Sequence, residues 1–314
     1  MPEAPAPRFA VIIPVYNGAA TLAQALDSVL AQTWPAHEII VVDDGSRDAS
    51  AEVAAAYGGR VSLIRQPNGG VSAARNAGAR AATAEWLCFL DADDWYYPER
   101  LAVHAAMIRQ DPALDFLTGD FDYVDSAGRH LRRSMECTAA GRLLLREARD
   151  GHAVMGGDVL GDFVAQHFGD THTLTVPRAT FLELGGYPTG FAVCEDVNFL
   201  IRLCARSRRA GVVCTPMAAY RIHDGSATRS DPLRAQQQTL AALLSLVPQL
   251  RTATPCIRRG LRGAIGHARL DLAQCLLRHG RRREAVATAL PLLGHGSVAA
   301  FRHALWILKE ALRA

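Results

Sequence analysis

The sequence predicts an α/β fold, a mostly parallel sheet flanked by helices, followed by an all-helical C-terminal region. Three observations lead there. Short β-branched apolar runs alternate with helix-period segments as far as Leu90, the pattern of a parallel sheet covered on both faces. From Asp231 onward apolar residues recur only at helical spacing. The charge divides at the same place: residues 1–231 carry 21 basic and 28 acidic side chains, residues 232–314 carry 13 and 3. Two regions are therefore expected, 1–228 and 229–314.

Phe9 to Val15 (FAVIIPV) reads as a buried strand, β-branched and bounded by proline and asparagine. Thr21 with Gln24 reads as a capping box, ahead of a helix whose apolar face is Leu22, Ala25, Leu26, Val29 and Leu30. Glu38 to Asp43 (EIIVVD) is a second buried strand; Gly45 turns the chain into an alanine-rich helix from about Ala49 to Tyr57. A strand at Val61 to Arg65, a helix at Ser72 to Ala82 and a strand at Trp86 to Leu90 complete the alternation. Beyond it, Asp115 to Ser134 reads as a hairpin turning at Ser126-Ala127-Gly128, and the glycine-rich span Gly151 to Gly169 as loop. Pro177 to Leu184 and Asp196 to Arg206 read as helices, and Gly211 to Ile222 as one late strand. In the tail, Asp231-Pro232 and Thr254-Pro255 each set a capping residue before a proline at the first helical position, and the apolar spacing gives about four helices.

Composition narrows the function classes. At 49% hydrophobic and 21% charged residues the chain is neither disordered nor fibrous, and a net charge of +3 argues against a nucleic-acid partner. Seven cysteines without a CxxC pair or a zinc-type spacing read as reduced thiols, hence a cytoplasmic protein. The start, MPEAPAPRFA, lacks a secretory leader, and no apolar run is long enough to span a bilayer. Membrane contact is thus expected to be peripheral, at the inner face of the cytoplasmic membrane. The arginine-rich tail is read either as a solvated helical face or as a surface that docks on anionic lipid.

The acids gather after strands. Asp43-Asp44 follows the second strand and Asp91-Ala92-Asp93-Asp94 the fourth, so both clusters open at one edge of the sheet, where such folds bind ligands. Five carboxylates there repel one another unless a cation joins them. Mn2+ or Mg2+ fits, taking one or two carboxylates and completing its shell with water and phosphate oxygens. Taken singly, DDGS is an ordinary turn and DADD an ordinary helix cap; both at successive strand ends point further.

VIIPVYN (Val11 to Asn17), VVDDGSRD (Val41 to Asp48), ARNAG (Ala74 to Gly78), LDADDW (Leu90 to Trp95) and CED (Cys194 to Asp196) occur in an order and spacing that resemble family 2 glycosyltransferases. The resemblance covers about the first 225 residues and implies the Rossmann-like GT-A fold, a nucleotide-sugar donor, UDP-sugar above all, and transfer with inversion. By position it implies Pro14 and Tyr16 at the nucleobase, Asp44 hydrogen-bonded to the base, and Arg75 and Asn76 at the donor pocket. It makes Asp91 and Asp93 the D-x-D pair, both metal candidates, with Asp93 first as the direct ligand and Asp91 nearer the ribose or sugar; adjacent Asp94 could assist, and the sequence does not separate them. It makes Asp196 the catalytic base, with Glu195 the fallback, and puts His223 near metal or diphosphate. His172, Tyr187 and the span Gly151 to Asp170 are acceptor-side candidates by position. A Q-x-x-R-W motif and transmembrane helices, marks of processive synthases in this family, are missing, which favours adding one sugar or a few to a glycan or lipid-linked acceptor of a bacterial surface polysaccharide.

Other classes fare less well. A phosphohydrolase needs an aspartate after the first strand, where this chain has Pro14-Val15-Tyr16-Asn17; no dinucleotide-binding glycine turn and no P-loop occurs. A non-catalytic nucleotide-sugar-binding or scaffolding protein on the same fold is the alternative, and it would be marked by lost acids.

Overall fold

Four parallel strands form the half of the sheet that the sequence announces. In the computed structural model, which describes residues 6–223, 229, 231–294 and 298–312, β1 (Phe9–Val15), β2 (Glu38–Asp43), β3 (Ser62–Arg65) and β4 (Trp86–Phe89) pair in the order β3-β2-β1-β4. The register sets Val15 level with Asp43 and Ile12 level with Phe89. The loops after β1, β2 and β4 therefore open on one edge. Between the strands run α1 (Ala19–Leu30), α2 (Ser50–Ala55) and α3 (Val71–Ala81). Successive side chains of β1 enter different cores: Ala10 and Ile12 face one apolar cluster, and Phe9, Val11, Ile13 and Val15 face the other, as the alternation of a strand demands.

The sheet continues with mixed polarity. Next to β4 lies antiparallel β10 (Thr175–Pro177), then β6 (Phe116–Gly119), then β11 (Arg209–Val213) parallel to β6, and β9 (His152–Gly156) antiparallel at the edge. A second sheet, not anticipated from sequence, has the order β5-β12-β7-β8, from β5 (Trp95–Tyr96), β12 (Ala218–Arg221), β7 (Asp122–Val124) and β8 (His130–Arg133). The chain runs from β6 into β7 and from β11 into β12, so two neighbouring strands leave one sheet together and pair again, parallel, in the other.

That crossing corrects two expectations. The late strand Gly211 to Ile222 is two strands, interrupted at Cys214–Met217, where Pro216 has no N–H for a ladder. The hairpin is only β7–β8, turning at Ser126–Gly128 as expected, while the residues before it belong to the main sheet. The capping box is also corrected. Helix α1 begins at Ala19, and Thr21 Oγ1 reaches only its own turn, at Gly18 O. The free N–H groups are capped from another loop instead: Gly18 N donates to Ser50 Oγ and Ala19 N to Asp48 Oδ2.

The span Gly151 to Gly169 is not loop but β9 followed by α6 (Gly157–Ala165). Its glycines hid a helix because one of them serves a crossing: a Cβ on Gly260 would lie 2.2 Å from the carbonyl oxygen of Gly161. There the long helix Pro255–Arg278 meets α6 backbone to backbone. The remaining tail helices, 232–244, 246–249, 282–289 and 298–312, stack around it. Buried Leu160, Phe163 and Phe199 belong to the same apolar cluster as Leu240, Leu261, Leu272 and Ile307, so one core runs across both regions. Residues 224–228, where the boundary was drawn, lie outside the described residues. No helix among the described residues is long and apolar enough to cross a membrane, and the seven cysteines are free thiols.

Candidate active site

Two cavities meet at the acids after β4. One, of about 560 Å3, is lined by Pro14, Tyr16, Asn17, Asp93, Arg221 and His223. The other, of about 280 Å3, is lined by Arg75, His172, Glu195, Asp196 and Tyr220. Val71, Asp91 and Asp93 belong to both. Tyr16 is half-exposed at 52%, and Pro14 is buried beneath it. Asn17 holds φ 52°, a left-handed conformation asparagine tolerates, and is pinned there: its N–H donates to Ser46 Oγ and its Oδ1 accepts from Arg47 N.

Helix α3 explains the ARNAG run residue by residue. The Arg75 guanidinium is buried and joins two acid motifs, NH2 to Asp91 Oδ1 at 2.6 Å and NH1 to Glu195 Oε1 at 2.8 Å, over the ring of Tyr187. Asn76 clasps the backbone of Tyr187, donating to its carbonyl at 2.8 Å and accepting from its N–H at 2.9 Å. Gly78 lets the helix touch β1, where a Cβ would sit 2.5 Å from Ile12 Cγ2. A single turn of helix thus couples Asp91, after β4, to the loop that leads into Glu195 and Asp196.

Around the D-x-D pair each carboxylate has a distinct setting. Asp93 is the wettest, 40% exposed, and Oδ2 lies 2.8 Å from His223 Nε2. Asp91 is tied to Arg75. Asp94 is buried; its Oδ1 accepts from Arg221 N, and burial with the charges of Asp93 and Asp91 pushes its carboxyl well above the usual range. Arg221, which sequence reasoning passed over, stacks on Trp95 and donates to the Asp93 carbonyl, so it brings a cation to the wall of the larger cavity. Its signal was its place at the end of β12, two residues before His223.

Helix α8 (Glu195–Arg206) presents the second acid pair. Cys194, before it, adopts φ 67°, a conformation costly for a side-chain-bearing residue and met at functional sites. Glu195 is buried against Arg75; burial first, and the Asp196 charge next, raise its carboxyl to about 7. Asp196 is raised further, to about 8, by burial and by neighbouring Asp170, and its Oδ2 accepts from Thr171 Oγ1. Glu195 is thus engaged in an ion pair, while Asp196 lines the open cavity without one. Asp170 and His167, from the acceptor-side span Gly151 to Asp170 but not singled out in it, flank Asp196 in a small adjoining cavity.

Three expected contacts take another form. Asp44 is 2% exposed, and its carboxylate accepts from Gln66 Nε2, Gly69 N and Gly70 N, so it is spent on shaping the loop that enters α3. Tyr187 is 1% exposed among Phe89, Phe181 and Phe199, beneath Arg75, so it is packed and not free to meet an acceptor. His172 borders the smaller cavity but is itself buried against Phe121, and burial lowers its imidazole to about 4, which keeps it neutral.

The donor set suits a divalent ion. Asp93 Oδ2 and His223 Nε2 are a hard oxygen and an imidazole nitrogen side by side, with a cavity beyond them for phosphate and water. No protein cluster of three or more ligating side chains occurs among the described residues, so an ion there would draw its other ligands from substrate and solvent.

Residues 10–158 match the family model described as Glycosyl transferase family 2. An uncharacterized glycosyltransferase of Haemophilus influenzae is 28% identical over 194 residues, covering 62% of this chain and 60% of that protein. The uncharacterized glycosyltransferase YibD of Escherichia coli is 40% identical over 107 residues, 33% of this chain and 31% of that protein. The chain spans less than two thirds of the length of each of these relatives. Among solved structures, residues 1–349 of Staphylococcus aureus TarS match with a TM-score of 0.64 at 18% identity, over 96% of this chain and 90% of that one. The same TarS fragment in complex with UDP-GlcNAc matches with 0.60 at 21%, over 97% and 81%. The mannosyltransferase PcManGT of Pyrobaculum calidifontis, in complex with GDP-Man and Mn2+, matches with 0.61 at 19%, over 98% and 86%. The segment that matches the glycosyl transferase family 2 model includes the parallel half-sheet bearing both acid clusters, and the whole chain has the GT-A fold of these solved structures.

Proposed function

We propose that this chain is an inverting, metal-dependent glycosyltransferase that moves a sugar from a nucleotide-diphosphate donor to a hydroxyl of a glycan or lipid-linked acceptor. The observation that carries the reading is the shared wall: Asp91 and Asp93 line both cavities, whereas Asp196 lines only the one away from Tyr16. A donor laid along Pro14 and Tyr16 would bring its diphosphate to Arg221 and His223 and its sugar to Asp91, with the acceptor arriving from the side of Asp196. Complexes of structural neighbours with UDP-GlcNAc and with GDP-Man and Mn2+ support a nucleotide sugar; a UDP-sugar is the first donor to test.

Transfer needs a proton removed and a charge stabilised. The acceptor hydroxyl would give its proton to the Asp196 carboxylate as its oxygen attacks the anomeric carbon, and the bond to the diphosphate oxygen breaks on the opposite face, inverting the centre. A carboxyl raised to about 8 makes a stronger base than an ordinary aspartate once ionised. Held by Asp93 and His223, a divalent ion would supply Lewis-acid stabilisation of the leaving diphosphate. Arg75 fixes Asp91 and Glu195 in place. Addition of one sugar or a few to a bacterial surface polysaccharide precursor, with the arginine-rich tail resting on anionic lipid, completes the reading. Asp196→Asn tests its core: transfer should vanish while nucleotide binding stays within about twofold, and equal turnover by variant and wild type would refute it.

A further inference from the structure

A further cavity, of about 440 Å3, runs from the candidate base to the C-terminal helices. It shares Asp170, Val193, Cys194 and Asp196 with the smaller of the two cavities described above, so both open onto the same carboxylate. Its outer wall is built by the tail: Thr239 and Leu243 from helix 232–244, and Ala264, His267, Ala268 and Asp271 from the long helix. The last four recur at three- and four-residue spacing and therefore share a face. Leu243, Ala264 and Ala268 are buried and form an apolar strip, while His267 and Asp271 stand exposed at the mouth.

The charge of this cavity runs against its surroundings. Residues 232–314 hold 13 basic side chains, yet no arginine or lysine lines the cavity among the described residues, and Asp170, Asp196 and Asp271 do. An anion entering here would meet the acidic groups of Asp170 and Asp271 beside the Asp196 carboxyl, with no arginine or lysine to offset its desolvation. A neutral ring of hydroxyls meets complementary chemistry instead. Carboxylates, the imidazoles of His167 and His267 and the hydroxyl of Thr239 exchange hydrogen bonds with it, and the apolar strip covers its C–H face.

We propose that this tail-walled cavity is the acceptor subsite, and that it admits an uncharged, polyhydroxylated sugar ring while excluding a phosphorylated one. The proposal rests on the transferase reading for the meaning of "acceptor", although binding itself does not require turnover. The phosphates of a lipid-linked acceptor would accordingly lie outside the cavity, with only its terminal sugar inside.

The test is saturation-transfer NMR and titration on the full chain with methyl glucoside, methyl galactoside, methyl mannoside and methyl N-acetylglucosaminide, each against its sugar 6-phosphate. Thr239→Trp, which fills the cavity from a half-buried position, and His267→Ala, which only trims the mouth, are compared with wild type. At least one neutral glycoside should bind, its phosphate should bind about tenfold more weakly or worse, and both variants should weaken the glycoside, Thr239→Trp by about tenfold. No glycoside binding, a phosphate that binds as well as its parent, or binding indifferent to both variants would overturn the proposal. Melting the same samples with UDP or GDP and Mn2+ separates the two ideas: glycoside binding at this cavity without nucleotide stabilisation would sink the transferase reading and leave the neutral-ring site standing.

Discussion

Removing Arg75 should loosen the whole site, because one guanidinium holds two acids that belong to different parts of the chain. Its side chain is 4% exposed, Glu195 is 8% exposed and Asp91 28%. Deleting one partner of a buried ion pair costs about 3–5 kcal/mol, since the remaining charge is stranded. Here one acid is buried and the other partly wet, so Arg75→Met belongs at the lower end, about 3 kcal/mol, or roughly 6 °C in melting temperature. Glu195, already raised to about 7 by burial and by Asp196, escapes part of that penalty by taking a proton, so the loss should be greater at pH 8 than at pH 5. Adding Glu195→Gln removes the stranded charge, and the double variant should recover about 1–3 kcal/mol relative to additivity. Arg75→Lys should not restore stability, because an ammonium cannot replace a fork that bonds both acids at once. Denaturant titration of the four proteins of this cycle, and of Arg75→Lys beside them, measures all of it. A cost below about 1 kcal/mol for Arg75→Met, with additive double-variant behaviour, would refute the idea that the ion pair organises the site.

Other outcomes follow from the same geometry. Gly78→Ala places a methyl group 2.5 Å from Ile12 Cγ2 and should cost about 1–3 kcal/mol by denaturant midpoint, though nothing chemical at the acids changes. Because the Asp196 carboxyl is raised from 3.8 to about 8, the folded state keeps a proton that the unfolded chain releases. Stability should therefore fall as pH rises across that window, and Asp196→Asn should flatten the slope; a difference between variant and wild type that does not change with pH would contradict it. Turnover should climb with pH toward about 8 as the base ionises, and Asp170→Asn, by removing the charge beside it, should shift that limb to lower pH.

The parallel half-sheet was legible because its first strands were continuous β-branched apolar runs, buried on both faces, and each helix between them carried its own apolar face. Acid clusters after β2 and β4 needed only strand polarity to be placed on one edge. What escaped was whatever depended on distant pairing. The second sheet is made from strands of two to four residues, too short for a period to show. The helix Gly157–Ala165 was hidden by glycines, one of which, Gly161, serves a contact with Gly260 about a hundred positions away. At the site, Asp196 and Asp93 could be named from local motifs, but the duties of Asp44 and Tyr187 could not. Both are set by partners, Gln66 to Gly70 in one case and Asn76 with Arg75 in the other, that only the fold brings near. Arg221 lay two residues before His223 and Asp170 at the end of an acceptor-side span, but the neighbours that give them a place at the site, Trp95 in one case and Asp196 in the other, are brought near only by the fold.

The central claim is that Asp93 holds a divalent ion against a nucleotide sugar and that the chain then breaks the sugar–diphosphate bond. Release of nucleoside diphosphate from a panel of UDP- and GDP-sugars, with Mn2+ or with EDTA, on wild type and Asp93→Asn, tests it most directly. Metal-dependent release from at least one donor, abolished by EDTA and by Asp93→Asn, is the expected result. Binding of every donor without release, or release that ignores both metal and Asp93, would contradict it.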